Sequence, residues 1–400
     1  MKEIRGRLIE LLSSLIEIYS PYFKEEKIME FAYEWLKSRK VPVEYHRYYE
    51  GKVTKYKGIN VIGIIKGREN GPRIHLNGHL DTVTLTDGWT RNPLKATVEG
   101  DRLYGLGALD MKSGSAAIML ALEEFIKNVK DFRGEIIYSL VSDEEGPYGL
   151  GTDALILDGI LDNIDFSIVT EPSAGFCQVP FPCICLGARG GYNYTVNIYG
   201  KASHAANPEL GIDSILDASR LICELNKTQF KMDSKLGKGS LVVISISGGG
   251  AAASVAERAS FTVFRHVVRG EDKEYLIKEV DEAAKRAGIR CKYEVVFREA
   301  PHEGIDGGFM PYVIDEDNQY LKFLQESVKE VTGQYGRISY FSSIGDFNYL
   351  GTRLGAPVFI FGPYGENYHS SDEWVSIEST VKTTEVIYDL LIRLLKNLNK

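Results

Sequence analysis

A change of rhythm partway along the chain narrows the fold more than any other feature. Through the first part, helical and strand-like segments alternate. Residues 24–38 read as a helix, 60–65 and 73–78 as strands, 112–127 as a helix, and 134–141 and 165–170 as further strands. Such alternation builds an α/β layer around a largely buried sheet. Near Arg189-Gly190-Gly191 the pattern shifts. Tyr192, Tyr194, Val196 and Ile198 alternate with Asn193, Thr195 and Asn197, as on a half-buried strand. A helix over 212–226, strands over 240–247 and 259–268, a helix over 271–287 and a strand over 290–298 complete a βαββαβ order, that of a ferredoxin-like unit. After Pro301 the α/β rhythm returns, with a helix over 317–331, a strand over 357–361 and a last helix over 380–398. The fold expected is a mixed-sheet α/β/α domain made of 1–188 and 304–400, with a ferredoxin-like α+β domain inserted at 189–303. A chain of 400 residues also exceeds what one hydrophobic core usually serves.

Composition removes several function classes. Lys and Arg total 47 against 55 Asp and Glu, a net charge of -8. A general nucleic-acid binder needs a basic face, so no nucleic-acid partner is expected. No apolar run approaches the ~20 residues that span a bilayer, so no membrane partner is expected either. The N-terminus does not read as a signal peptide. Ile4, Leu8, Leu11, Leu12, Leu15 and Tyr19 recur at helical spacing between charged residues. The five cysteines, Cys177, Cys183, Cys185, Cys223 and Cys291, include no CxxC pair. Cys183 and Cys185 would share one face of a strand. They read as buried free thiols, which fits a cytoplasmic location. The Gly-Ala stretch at 248–253 reads as a loop, and no GxxxxGK[ST] sequence makes it a phosphate cradle.

Chemistry-bearing residues cluster just past the expected strands. His79 and Asp81 follow one, Asp143-Glu144-Glu145 another, Glu171 a third, and His369 lies in the loop after 357–361. Open α/β sheets bind ligands outside the carboxyl ends of their strands, so these stretches converge on one crevice. Asp110 adds a fifth, in the glycine-bearing segment Tyr104-Gly105-Leu106-Gly107-Ala108-Leu109-Asp110, immediately before a helix. Imidazoles and carboxylates without thiolate suit zinc, manganese or cobalt. Two metals sharing a carboxylate acidify a water and polarise a carbonyl. Of the adjacent Glu144 and Glu145, one can reach a metal and the other that water, as a general base. Each residue alone has a plainer reading: a packed histidine, a solvated acidic turn, a strand end. His75 lies within its strand and is read as structural.

These stretches together resemble the co-catalytic metallohydrolases that include acetylornithine deacetylase, succinyl-diaminopimelate desuccinylase, aminoacylase and bacterial glutamate carboxypeptidase. The signatures stand as Gly78-His79-Leu80-Asp81, Asp110-Met111-Lys112-Ser113-Gly114, Asp143-Glu144-Glu145-Gly146, Thr170-Glu171-Pro172-Ser173, Gly200-Lys201-Ala202-Ser203-His204-Ala205, and His369 followed by Asp372-Glu373. The resemblance implies that Asp110 bridges two divalent ions, zinc first with cobalt or manganese as alternatives, with His79 and Glu171 completing one site and Glu145 and His369 the other. It implies Glu144 as general base, Asp81 as the carboxylate orienting His79, and a cis peptide between Asp110 and Met111. It implies that His204 holds the substrate carbonyl, often from a partner subunit, and that Arg265 clamps a substrate carboxylate. The inserted domain would then be a lid and the surface of a homodimer. The substrate implied is a small N-acyl amino acid or a short peptide. The chain departs from the family at Ser254-Val255-Ala256-Glu257, where many members carry Asn-x-Pro before the acidic residue.

Four readings stand at this point. One is a deacylase. The second is a dipeptidase or carboxypeptidase with the same chemistry. The third is a metal-dependent binding protein without catalysis, against which an intact Glu144 weighs. The fourth, a nucleotide-binding α/β protein, rests on a fragment, Gly105-Leu106-Gly107; Asp110 before the helix would repel a phosphate there.

Overall fold

The computed structural model describes residues 2–249 and 253–396. The middle of the 248–253 stretch and the last two positions of the helix read over 380–398 lie outside the described residues. The chain forms two compact units. One comprises the residues up to Ala188 together with those from Tyr312 onward, the other Arg189–Pro311.

The first unit is built on a nine-stranded mixed sheet among the described residues. Its spatial order is Glu44–Tyr49, Lys57–Lys66, Arg133–Val141, Glu69–His79, Phe166–Val169, Val358–Ile360, Cys183–Ala188 and Tyr312–Val313, with Arg337–Phe341 also paired to Cys183–Ala188. Successive strand residues point to opposite faces, and both faces are covered. Ile136, Tyr138 and Leu140 pack in a core shared with the helices Lys2–Glu17, Ser113–Asn128 and Ile377–Leu395. Ile137 and Val141 pack in another, with Leu155, Phe347 and Leu350 of the helices Leu150–Leu157 and Phe347–Arg353. Phe166–Val169 is buried at every position, as parallel strands inside a three-layer sandwich are. Tyr19, read with the first helix, lies beyond its end at Glu17 and is 37% exposed.

Four central strands are parallel. Glu69–His79 pairs in parallel with Arg133–Val141 and with Phe166–Val169, which pairs in parallel with Val358–Ile360. Their carboxyl ends share one edge of the sheet. A small four-stranded sheet, Gly365–Glu366, Trp374–Ser376, Arg102–Tyr104 and Thr97–Glu99 in spatial order, ties the loop holding His369 to the stretch that leads to Asp110.

The second unit is a four-stranded antiparallel sheet in the order Ser240–Gly249, Arg258–Val267, Gly190–Tyr199 and Lys292–Phe297. The helices Ser214–Leu225 and Lys273–Ala287 cover one face, where Val196, Ile198, Phe261 and Val263 meet Leu221, Leu225, Leu276 and Val280. This is the ferredoxin-like arrangement. Asp213 and Asp272 cap the two helices, accepting from main-chain N–H groups of the first turn.

Candidate metal centre

The parallel strands deliver their acids and imidazoles to one place. His79 ends its strand fully buried, and its Nε2 lies 3.3 Å from Asp110 Oδ1 and 3.5 Å from Glu171 Oε1. The other Asp110 oxygen, Oδ2, lies 3.4 Å from His369 Nε2, which is 2.9 Å from Glu145 Oε2. Two groups of possible metal ligands result: His79, Asp110 and Glu171, and Asp110, Glu145 and His369, each with donor atoms within 4.8 Å of one another. Asp110 belongs to both and turns one oxygen toward each histidine.

Local backbone makes this sharing possible. Asp110 sits in an irregular turn, Ala108–Lys112, between Gly107 at φ 72 and the helix Ser113–Asn128. The Asp110–Met111 peptide is cis, as the resemblance implies. Asp143 and His369 adopt left-handed backbone at φ 59 and 57, sparsely populated for residues other than glycine. The neighbours Glu144 and Glu145 diverge. Glu145 faces His369, whereas Glu144 points its Oε2 toward His79 Nε2 at 3.7 Å and accepts the Asp346 main-chain N–H on Oε1 at 3.1 Å.

Asp81 is fully buried. It accepts the Glu145 main-chain N–H on Oδ2 at 2.8 Å. His79 Nδ1 lies 3.1 Å from the Asp81 carbonyl oxygen and 3.4 Å from its carboxylate.

The electrostatics show negative charge in excess. Burial drives Glu144 well above the ordinary glutamate value; His79 opposes this, and Asp346, Glu145 and Asp110 add to it. Burial and then Asp110 push Glu171 well above that value and raise Glu145 as well. Burial also works against the charge on Asp110, but hydrogen bonds from His369 and His79 outweigh it and hold that carboxylate low. Burial opposes a charge on His79, yet Asp110 and Asp81 raise it well above its usual value. Four clustered carboxylates thus face two imidazoles. A divalent cation fits this donor set and offsets the crowding of like charge.

Three supporting residues escaped a sequence reading. Glu373, 2% exposed, accepts main-chain N–H groups of Gly107, Leu109 and Asp110 at 2.7, 2.8 and 2.9 Å, fastening the turn that carries Asp110. Lys112 donates from Nζ to the carbonyls of Leu15 and Ile18, both at 2.9 Å, closing the end of the first helix. Asp346 accepts from Asn77 Nδ2 at 2.8 Å and from Thr152 Oγ1, while its main chain holds Glu144. Glu373 and Lys112 stand within the motifs given above, but periodicity carries no signal for a buried charge that serves main-chain groups. His75, read as structural, hydrogen-bonds Ser167 and Ser139, each at 2.8 Å, and burial lowers it to about 3.

His204 and Arg265 belong to the second unit. His204 is exposed, bridged to Ser254 just before a turn, with Nδ1 accepting the Ala206 main-chain N–H at 3.1 Å. Arg265 departs from its expected role. It is 0% exposed; Nε and Nη2 donate to Glu279 at 3.1 and 3.0 Å, Nη2 also to Glu271 at 2.9 Å, and Nη1 to the His266 carbonyl. All three nitrogens serve acceptors of their own unit, and none is presented to a substrate carboxylate.

Comparisons with known proteins bear on the fold and the family. A succinyl-diaminopimelate desuccinylase of Hydrogenovibrio crunogenus is 28% identical over 335 residues, 82% of this chain and 85% of its own. A tripeptidase of Staphylococcus aureus shares the fold with a TM-score of 0.79 at 21% identity, covering 97% of this chain and 98% of its own. An M20 family metallo-carboxypeptidase of Sulfolobus solfataricus has a TM-score of 0.74 at 17% identity, covering 98% of this chain and 99% of its own. The family model for Peptidase family M20/M25/M40 matches residues 75–393, a span that takes in all five candidate ligands. By that match the chain belongs to Peptidase family M20/M25/M40 and is a hydrolase.

Proposed function

We propose that this hydrolase cleaves the amide bond of a small N-acyl amino acid, in the manner of a deacetylase or desuccinylase. The observation that carries the reading is the division of Asp110, one oxygen 3.3 Å from His79 and the other 3.4 Å from His369. His79, Asp110 and Glu171 would hold one divalent ion, and Asp110, Glu145 and His369 the other. The imidazole and carboxylate donors suit zinc, with cobalt or manganese as substitutes. When bound, such ions lower the pKa of a water and polarise the scissile carbonyl.

The remaining work falls to side chains. Glu144 is the general base. Its Oε1 is anchored by the Asp346 N–H, and its Oε2 faces the ligand cluster. It takes a proton from the attacking water and returns it to the departing amine nitrogen. Asp81 positions His79 through the contacts at Nδ1. His204 donates to the developing oxyanion: its Nδ1 is an acceptor for Ala206, so in the neutral ring Nε2 carries the proton.

The first unit is the catalytic body, and the second serves as lid and as the contact of a homodimer. Support for the dimer lies in Ser240–Gly249, an edge strand on which Val242, Ile244 and Ile246 are 53%, 55% and 58% exposed. An uncovered apolar edge of this kind invites pairing with another chain. Among the described residues no helix is long and apolar enough to cross a membrane. The five free cysteines support a cytoplasmic setting.

Amine release from N-succinyl and N-acetyl amino acids, dipeptides and tripeptides tests the reading, with metal stripped and then restored as zinc or cobalt. Metal-dependent release from the acyl amino acids supports it. Release from peptides alone makes the protein a peptidase of the same chemistry. Metal uptake with no release from any substrate makes it a binding protein.

A further inference from the structure

Three of the five cysteines fall within nine residues, from Cys177 to Cys185. The fold brings them together. Cys177 ends the short helix Ser173–Cys177, the chain turns back, and the strand Cys183–Ala188 begins. Cys183 and Cys185, two apart on that strand, point to the same face, and both are fully buried. Cys177 lies over them, its Sγ 3.2 Å from Cys185 Sγ, and all three sulfurs lie within 4.8 Å of one another. This cluster shares no residue with the Asp110 centre.

We propose that Cys177, Cys183 and Cys185 form a separate binding site for one thiophilic divalent cation of the zinc–cadmium class, held by three sulfurs. At a metal–sulfur bond of about 2.3 Å, three sulfurs around one ion stand roughly 3.8–4.0 Å apart. The pair now at 3.2 Å would open by about 0.7 Å, and the third sulfur already lies within 4.8 Å. Side-chain rotation covers such changes. A soft all-sulfur set selects d10 ions over the harder cations that carboxylates prefer. Arg337, paired with Cys183 across parallel strands, places a positive charge beside the sulfurs. Cys177 is only half-buried, which gives an ion a way in. A disulfide would use two of these sulfurs and leave the third idle; a cation uses all three.

Cadmium titration of the reduced, chelator-treated full chain tests the proposal, because thiolate-to-cadmium charge transfer in the ultraviolet arises only from sulfur ligands. The band is expected to saturate at one ion per chain, and the bound ion to protect the half-buried Cys177 from alkylation. Cys177→Ala, at the half-buried position, should weaken the band's titration at least tenfold, whereas Cys223→Ser, at an exposed cysteine outside the cluster, should leave it unchanged. Amine-releasing activity with metal at the Asp110 centre should stay at the wild-type level in Cys177→Ala. Absence of the band in wild type at saturating cadmium overturns the proposal, as does a band that Cys177→Ala leaves intact.

Discussion

Gly114→Ala sets two physical effects against each other with opposite signs. Gly114 lies in the first turn of Ser113–Asn128, where alanine is the better helix former by about 1 kcal/mol. Propensity alone therefore makes the variant more stable. A Cβ built at this position, however, would stand 2.2 Å from the main-chain oxygen of Thr170 and 2.7 Å from its hydroxyl. Ordinary contact begins at 3.4 Å, so helix and strand end would have to part by about 1.2 Å (3.4 less 2.2). The obstacle is backbone on the buried side of the sheet, not the tip of a flexible side chain. Overpacking costs about 1–3 kcal/mol, and backbone that must move puts this site at the upper end of that range. Less the helix gain of about 1 kcal/mol, a net loss of up to about 2 kcal/mol remains. Because Thr170 precedes Glu171, the same displacement should weaken metal binding at the His79 side of the cluster. Denaturant unfolding and metal titration of wild type and variant supply both numbers. A Gly114→Ala protein that is more stable than wild type by about 1 kcal/mol would refute the close-packing argument.

Other consequences follow from named contacts. Glu373→Ala removes the acceptor of three main-chain N–H groups around Asp110, and metal affinity by titration calorimetry should fall roughly 10–100-fold; unchanged affinity would show that the turn holds without it. His75 is buried neutral, its value lowered from 6.5 to about 3. The unfolded chain then binds a proton that the folded one refuses, so stability is lost as pH falls from 6.5 toward 3, by up to about 1.4 kcal/mol per pH unit from this residue. Wild-type unfolding midpoints should drop more steeply over that range than those of His75→Gln; parallel curves would contradict this. Ile244→Lys places a charge on the exposed edge of Ser240–Gly249 and should convert a dimer to monomer in analytical ultracentrifugation, whereas a dimer that persists would place the contact elsewhere.

Much of this architecture was legible because long elements announce themselves by periodicity. Residues 134–141 read as a strand and the structure has Arg133–Val141; 271–287 read as a helix and the structure has Lys273–Ala287. The small sheet formed by Gly365–Glu366, Trp374–Ser376, Arg102–Tyr104 and Thr97–Glu99 left no such trace, since segments of two or three residues have no period. It ties together the stretches bearing Asp110 and His369. At the centre itself, His79, Asp110, Glu145, Glu171 and His369 could be picked out because each follows an expected strand or precedes a helix, and the structure brings them together. Glu373 and Asp346 could not, because their partners are main-chain amides or a strand side chain far away in sequence. Arg265 illustrates the opposite difficulty. Its motif pointed to a ligand contact, but Glu271 and Glu279, 6 and 14 residues further on, take up its guanidinium.

Metal content and turnover measured side by side on Glu144→Gln test the central claim most directly. Glu144 lies outside both groups of proposed ligands, and its Oε2 faces the cluster from 3.7 Å. The account predicts two ions per chain, as in wild type, with turnover reduced about 10²–10⁴-fold because the amide cannot accept the proton. Turnover within a few-fold of wild type at full metal content would contradict the assignment of Glu144 as the base.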